Sequence, residues 1–182
     1  MAAEAPHAEL GWKAPAFTLP ATDGKTLSLA DLEGEHGTVV MFICNHCPYV
    51  VAMIDRAVAD ARELAKLGVS TVAICSNDAK SYPEDSFANM RAFALAHDFP
   101  FPYLHDETQA VARAYGAVCT PDIFGFNDKL ELAYRGRLDE GRTEPPRKSA
   151  PRELLDAMTQ IAKTGRGPRG QKASVGCSIK WK

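Results

Sequence analysis

The chain lacks what a membrane protein or a nucleic-acid binder needs. No apolar run approaches the roughly 20 residues that span a bilayer. Its 21 Lys and Arg are outnumbered by 23 Asp and Glu, for a formal charge of −2. General affinity for nucleic acid or an anionic membrane is therefore not expected. The one local exception is Lys163 to Lys182, where six basic residues meet no acidic one, a pattern read as a solvated tail rather than a nucleic-acid arm. Cysteines number five, an odd count that argues against a closed disulfide framework. Met1–His7 has no basic start followed by an apolar stretch, so no secretory leader is expected. The expected location is cytoplasmic, where thiols stay reduced. No internal repeat is evident.

What is present fits an ordinary globular domain. Of the 182 residues, 46% are hydrophobic and 24% charged, enough for one sizeable core. We expect a single domain over 1–182, with 1–10 flexible and 164–182 as a C-terminal tail.

The most informative stretch is Val39–Tyr49. A β-branched apolar run ends in Cys44-Asn45-His46-Cys47-Pro48, and Ile54, Ala57, Val58, Ala61, Leu64 and Ala65 follow at helical spacing. A strand feeding a helix places both thiols at a helix N-terminus. Unpaired backbone N–H groups, the helix dipole and His46 all favour a thiolate there. Pro48 suits the first helical turn, where its missing N–H costs nothing. The pattern points to a dithiol/disulfide couple. Zinc or iron–sulfur ligation and inert packing remain open, although a structural zinc site normally adds a second close Cys/His pair. Cys75, Cys119, Cys177, His36, His97 and His105 all stand singly.

Taken in order, Ala16–Pro20 and Lys25–Leu29 flank Asp23-Gly24 as a hairpin. Thr38–Ile43 and Val69–Cys75 read as buried parallel strands. The helix between them should stop at Gly68. A helix from about Phe87 to His97 and a strand over 101–104 follow. Asp106–Gln109 has the form of a capping box for a helix carrying Val111, Ala112 and Tyr115. Ile123–Phe126 and Leu130–Tyr134 form a hairpin, and a helix opens at Ser149–Pro151. In the tail, Val175, Cys177, Ile179 and Trp181 alternate like a docked strap.

With these elements in place, the chain resembles the thioredoxin-fold superfamily, specifically its peroxiredoxin-like (alkyl hydroperoxide reductase/thiol-specific antioxidant) branch. Gly11-Trp12-Lys13-Ala14-Pro15-Ala16-Phe17 resembles that branch's opening motif. Cys44-Asn45-His46-Cys47-Pro48 sits where thioredoxins carry their redox pair, and Thr120-Pro121 is similar to the cis-proline loop facing it. Gly176–Trp181 resembles the ending of a peroxiredoxin-like subgroup. The likeness covers about residues 11–182. It implies an α/β, thioredoxin-like fold: three α/β/α layers around a mixed central sheet, with an N-terminal β-hairpin extension and the C-terminal strap. It also implies that Asn45, His46, Pro48, Thr120 and Pro121 neighbour the active site, and that Cys119 can approach the redox pair.

The function expected is a thiol–disulfide oxidoreductase using Cys44 and Cys47 with no cofactor. Cys44 would be the exposed attacking thiol and Cys47 the resolving one, with a possible peroxide-reducing, antioxidant role. Substrates would be protein or small-molecule disulfides or peroxides, and the reductant a thioredoxin or a low-molecular-weight thiol. The alternatives are a peroxidase using Cys47, or a metal-binding module using Cys44 and Cys47 with His46 or Cys119. Cys119 and Cys177 are candidate additional redox thiols. Against that, either can be a packed hydrophobe, and Cys75 is read as packing.

Overall fold

The computed structural model describes residues 1–7 and 9–182. In chain order the strands and helices are β1 (Ala2–Glu4), β2 (Thr18–Pro20), β3 (Thr26–Ser28), α1 (Leu29–Leu32), β4 (Gly37–Phe42), α2 (Pro48–Ala65) and β5 (Val69–Cys75). They continue with α3 (Phe87–Ala96), β6 (Tyr103–His105), α4 (Ala110–Tyr115), β7 (Cys119–Thr120), β8 (Asp122–Phe126), β9 (Leu132–Arg135), α5 (Glu153–Thr164) and β10 (Val175–Ser178).

Five strands form the central sheet in the order β6-β5-β4-β8-β9. β4 lies parallel to β5 and antiparallel to β8, so Val40 sits between Val72 and Phe124. Alternate residues of β4 face opposite layers, as the pleat dictates. Val39 and Met41 pack with Ile54, Ala57 and Leu64 of α2 and with Leu154, Met158 and Ile161 of α5. Val40 and Phe42 pack with Phe17, Leu19, Ala112 and Tyr115 on the other side. Covered on both faces, β4 has every residue buried, which is why it reads as a continuous apolar run. Tyr115 anchors the second layer, with Trp12, Phe42 and Phe124 edge-on around its ring at 5.5 to 6.1 Å. This is the α/β three-layer arrangement with the expected N-terminal hairpin.

Several expectations change. Residues 2–4, expected to be flexible, form β1 and pair antiparallel with β10, Ala2 opposite Cys177. β10 in turn pairs with β7, Cys177 opposite Thr120, so the tail is a docked strand of a second, three-stranded sheet. Isolated three-residue segments carry too little local signal to reveal such pairing. In the strap Ile179 is buried, whereas Trp181 remains 37% exposed with the Arg113 guanidinium 4.4 Å over its ring. Gly176 is required there, because a Cβ would sit on the Thr120 carbonyl oxygen.

The capping box expected at 106–109 does not form. Gln109 adopts a left-handed conformation, φ +66°, and its side chain donates to the carbonyls of Ser76 and Lys180. Asp106 supplies the cap instead, its carboxylate accepting from Val111 N at 3.3 Å and Ala112 N at 2.9 Å. A capping box does occur at the short α1, where Ser28 and Asp31 exchange hydrogen bonds. α2 stops near its expected end, with Gly68 at φ +74° past the last turn.

Candidate redox site

The site lies at the carboxyl ends of the parallel strands β4 and β5. β4 ends at Phe42, the chain turns through Cys44 to His46, and Cys47 becomes the N-cap of α2 with Pro48 in its first turn. Thr120-Pro121 is cis and faces both thiols. Cys44 Sγ lies 3.4 Å from Thr120 Oγ1, and Cys47 Sγ lies 3.1 Å from the Thr120 carbonyl oxygen. Cys177, carried in by β10, places its Sγ 2.9 Å from Cys47 Sγ, and all five cysteines are free thiols.

A second set of contacts comes from the loop after β5. Asp85, fully buried, accepts from Asn45 N at 2.8 Å and from Asn77 Nδ2 at 2.8 Å. Asn45 Nδ2 donates to Glu84 O, and Tyr103 OH donates to Asn45 Oδ1 at 2.9 Å. His46 Nδ1 lies 2.7 Å from Asp85 Oδ2 without the alignment of a hydrogen bond, and its ring stacks on Tyr82. Asp85, Asn77, Tyr82 and Tyr103 were not singled out in the sequence. The available signal was topological: polar loops beyond the carboxyl ends of parallel strands are where α/β sheets bind ligands.

The two central thiols differ electrostatically. Hydrogen bonding from the Cys44 thiol pulls the Cys47 thiol well below its ordinary value, to about 4. Cys177 and the backbone N–H of Val50 add to the pull, and together they outweigh burial. Cys44 is pushed far up, because it gives its proton toward Cys47, is buried, and faces the Asp85 carboxylate. The attacking role expected for Cys44 is therefore not supported: Cys44 is 1% exposed, Cys47 is equally shut in, and the charge environment favours a thiolate at Cys47. The helix begins at Pro48 with Cys47 as its N-cap, rather than just beyond Cys44, so its positive end lies nearest the second cysteine.

The other candidates separate cleanly. Cys177 is half-buried and its thiol is raised to about 11, first by burial and then by Cys47. Cys119 is buried on β7, donates to Pro121 O at 3.5 Å, and is pushed up by burial. Cys75 is sealed at the end of β5 and raised to about 12, again by burial. Among the described residues, the groups close enough to share a metal ion are Cys44, His46 and Asp85. Cys47 and Cys119, offered as ligands from the sequence, are not in that group.

Residues 10–136 match the AhpC/TSA family, about 70% of the chain. The chain belongs to the AhpC/TSA family. Among relatives, the putative peroxiredoxin bcp of Coxiella burnetii is 28% identical over 117 residues, covering 64% of this chain and 72% of that one. The chain spans about half the length of the chloroplastic peroxiredoxin Q relatives it also matches. An uncharacterized conserved protein of Geobacillus kaustophilus is 45% identical in its crystal structure, with a TM-score of 0.92 over 100% of this chain and 97% of that one. A putative thioredoxin of Neisseria meningitidis, 24% identical, superposes with a TM-score of 0.63 over 83% of this chain and 90% of that one. The fold is thus thioredoxin-like. The AhpC/TSA match ends before the strap, so β10 and Cys177 lie outside the matched residues, whereas the Geobacillus structure covers them. No helix among the described residues is long and apolar enough to cross a membrane.

Proposed function

We propose that this AhpC/TSA protein is a thiol-based oxidoreductase that reduces small oxidised substrates, hydroperoxides foremost, through Cys47. The observation that carries the reading is the place of Cys47 Sγ: shut from solvent at the N-cap of α2, 2.9 Å from Cys177 Sγ, with its thiol drawn well below the ordinary cysteine value. The thiolate is the reactive form. Burial of both central sulfurs favours a substrate of a few atoms, because a protein disulfide must bring its own sulfur in line with the attacking one.

In this scheme Cys47 S⁻ attacks the distal peroxide oxygen and the O–O bond breaks. The alkoxide or hydroxide leaves with a proton from solvent, and Cys47 becomes a sulfenic acid. A neighbouring thiolate then attacks the Cys47 sulfur, expelling hydroxide that leaves as water, and a disulfide forms. Cys44 and Cys177 are the two thiols in position. Cys177 is favoured because it is partly exposed, so a Cys47–Cys177 disulfide is open to an external reductant. That reductant is a dithiol protein of the thioredoxin kind or a low-molecular-weight thiol, which supplies the two electrons.

The second reading is a thiol–disulfide oxidoreductase running on the Cys44–Cys47 couple. The contacts of Thr120 with both sulfurs, Oγ1 on Cys44 and the carbonyl on Cys47, favour it. The two are distinguished by following hydrogen peroxide and a small disulfide in parallel with the reduced protein. Consumption of one equivalent of peroxide, lost in Cys47→Ser, supports the first. Turnover of the disulfide with no peroxide consumption supports the second.

A further inference from the structure

Asp85 is a fully buried carboxylate, and among the described residues the one basic side chain within ion-pair distance of it is His46. Its orientation is fixed by two donors, the Asn45 amide on Oδ1 and Asn77 Nδ2 on Oδ2. A carboxylate has about four lone-pair sites, so these bonds leave acceptor capacity directed at His46 and Cys44. The His46 Nδ1 atom is buried and makes no hydrogen bond, although Oδ2 stands only 2.7 Å away.

That pairing is unusual for a proton-bridged pair, in which donor and acceptor align. It suits two ligands of one cation, which subtend roughly a tetrahedral angle instead of lying in line. One ligating atom from each of Cys44, His46 and Asp85 lies within 4.8 Å of the others. We infer that Cys44, His46 and Asp85 form a binding site for a divalent, borderline-soft cation of the zinc class, with one coordination position left open.

The donor set selects the metal. A sulfur, an imidazole and a carboxylate match the usual zinc ligands, whereas magnesium and calcium take oxygen alone. Charge also balances, since a Cys44 thiolate and the Asp85 carboxylate offset the two positive charges of the ion. Tetrahedral zinc separates nitrogen and oxygen ligands by roughly 3.3 Å, so the His46 ring must move outward by about half an ångström. His46 is 29% exposed and has room to do so. Asn77 and the Asn45 amide serve as outer supports, and Tyr103 holds Asn45 in turn. Cys47 is not among the ligands, yet the two roles are coupled: an ion on Cys44 takes away the thiol proton directed at Cys47 and removes Cys44 from any disulfide.

The test uses cobalt(II) as the probe on the full-length reduced protein. The expected result is a sulfur-to-cobalt charge-transfer band with the intense visible transitions of a tetrahedral site, displaced by zinc. Cys44→Ser should abolish the charge-transfer band, while His46→Gln and Asp85→Asn should each weaken binding at least tenfold. Asn77→Ala, a positioning change, should weaken it roughly 10- to 100-fold with the band's shape kept. Cys47→Ser and Cys119→Ser should leave the spectrum unchanged. If Asp85→Asn does not fold, His46→Gln on the half-exposed ring carries the test. No cobalt band, a charge-transfer band that survives Cys44→Ser or needs Cys119, or an unchanged cobalt affinity in His46→Gln overturns the site. Because the readout is spectroscopic, a failed peroxide assay leaves it intact, and a missing band leaves the redox reading intact.

Discussion

Cys177 Sγ lies 2.9 Å from Cys47 Sγ although 130 positions separate the two residues in sequence. The contact is made by backbone pairing, because Cys177 stands opposite Thr120 in the β10–β7 ladder and Thr120 O touches Cys47 Sγ. The candidate pair legible as Cys44 and Cys47 is thus joined by a third thiol, delivered by the strap.

The ionisation of Cys47 gives the first expectation. A thiol pulled down to about 4 is already a thiolate at pH 6, whereas a free cysteine titrates near 8.5. Thiolate absorbance of the reduced protein should rise in one step near pH 4 to 5, and Cys47→Ser should remove that step. A first step near pH 8 to 9 in the parent protein would contradict the electrostatic assignment.

The same shift makes a statement about stability. Between about pH 4 and pH 9 the unfolded chain keeps the Cys47 proton and the folded chain does not. The unfolded state then binds more protons, so stability rises with pH across that window. The contribution is complete above the unfolded value and is lost as pH falls through the folded one. Cys44, pushed up, stays protonated in both states below about 9 and does not alter the slope there. Urea titrations under reducing conditions should show this slope in the parent and a flatter one in Cys47→Ser.

Much of this was readable from residue pattern, and the unread part has a physical reason. The β4 and β5 runs, the α2 stripe and the Thr120-Pro121 loop are local signals, and each lies where its pattern or family likeness put it. Which cysteine gains the helix amides depends on where the helix starts to within one turn, and sequence patterns rarely fix that. Asp85 and Asn77 carry no motif; they matter because β5 runs parallel to β4 and ends beside it. β1 and β7 are two or three residues long and gain their structure from β10 rather than from propensity.

The buried Asp122–Arg135 pair supplies a stability test away from the thiols. Arg135 donates to both carboxylate oxygens, at 3.2 and 2.8 Å, and to Gly116 O. Burial nonetheless pushes the Asp122 carboxyl up. Arg135→Met leaves that carboxylate unpaired and should cost about 3–5 kcal/mol in chemical unfolding. Adding Asp122→Asn should recover part of the loss. A cost below about 1 kcal/mol for Arg135→Met would show that the pair is not closed in solution.

Docking of the strap is tested at Gly176. A Cβ there meets the Thr120 carbonyl oxygen, so Gly176→Ala must part β10 from β7. Overpacking of this kind costs about 1–3 kcal/mol. Amide exchange at 175–179 should accelerate, and the yield of any Cys47–Cys177 disulfide should fall. Unchanged exchange would place the strap elsewhere.

The assignment of Cys47 as the reactive thiol is tested most directly by mass spectrometry of the reduced protein after one equivalent of hydrogen peroxide, with single and double cysteine variants in parallel. The account expects a Cys47–Cys177 disulfide in the parent. It expects a sulfenic acid at Cys47 when Cys44 and Cys177 are both serine, and no rapid reaction in Cys47→Ser. Rapid peroxide consumption that persists in Cys47→Ser, with oxidation found at Cys44, would contradict it.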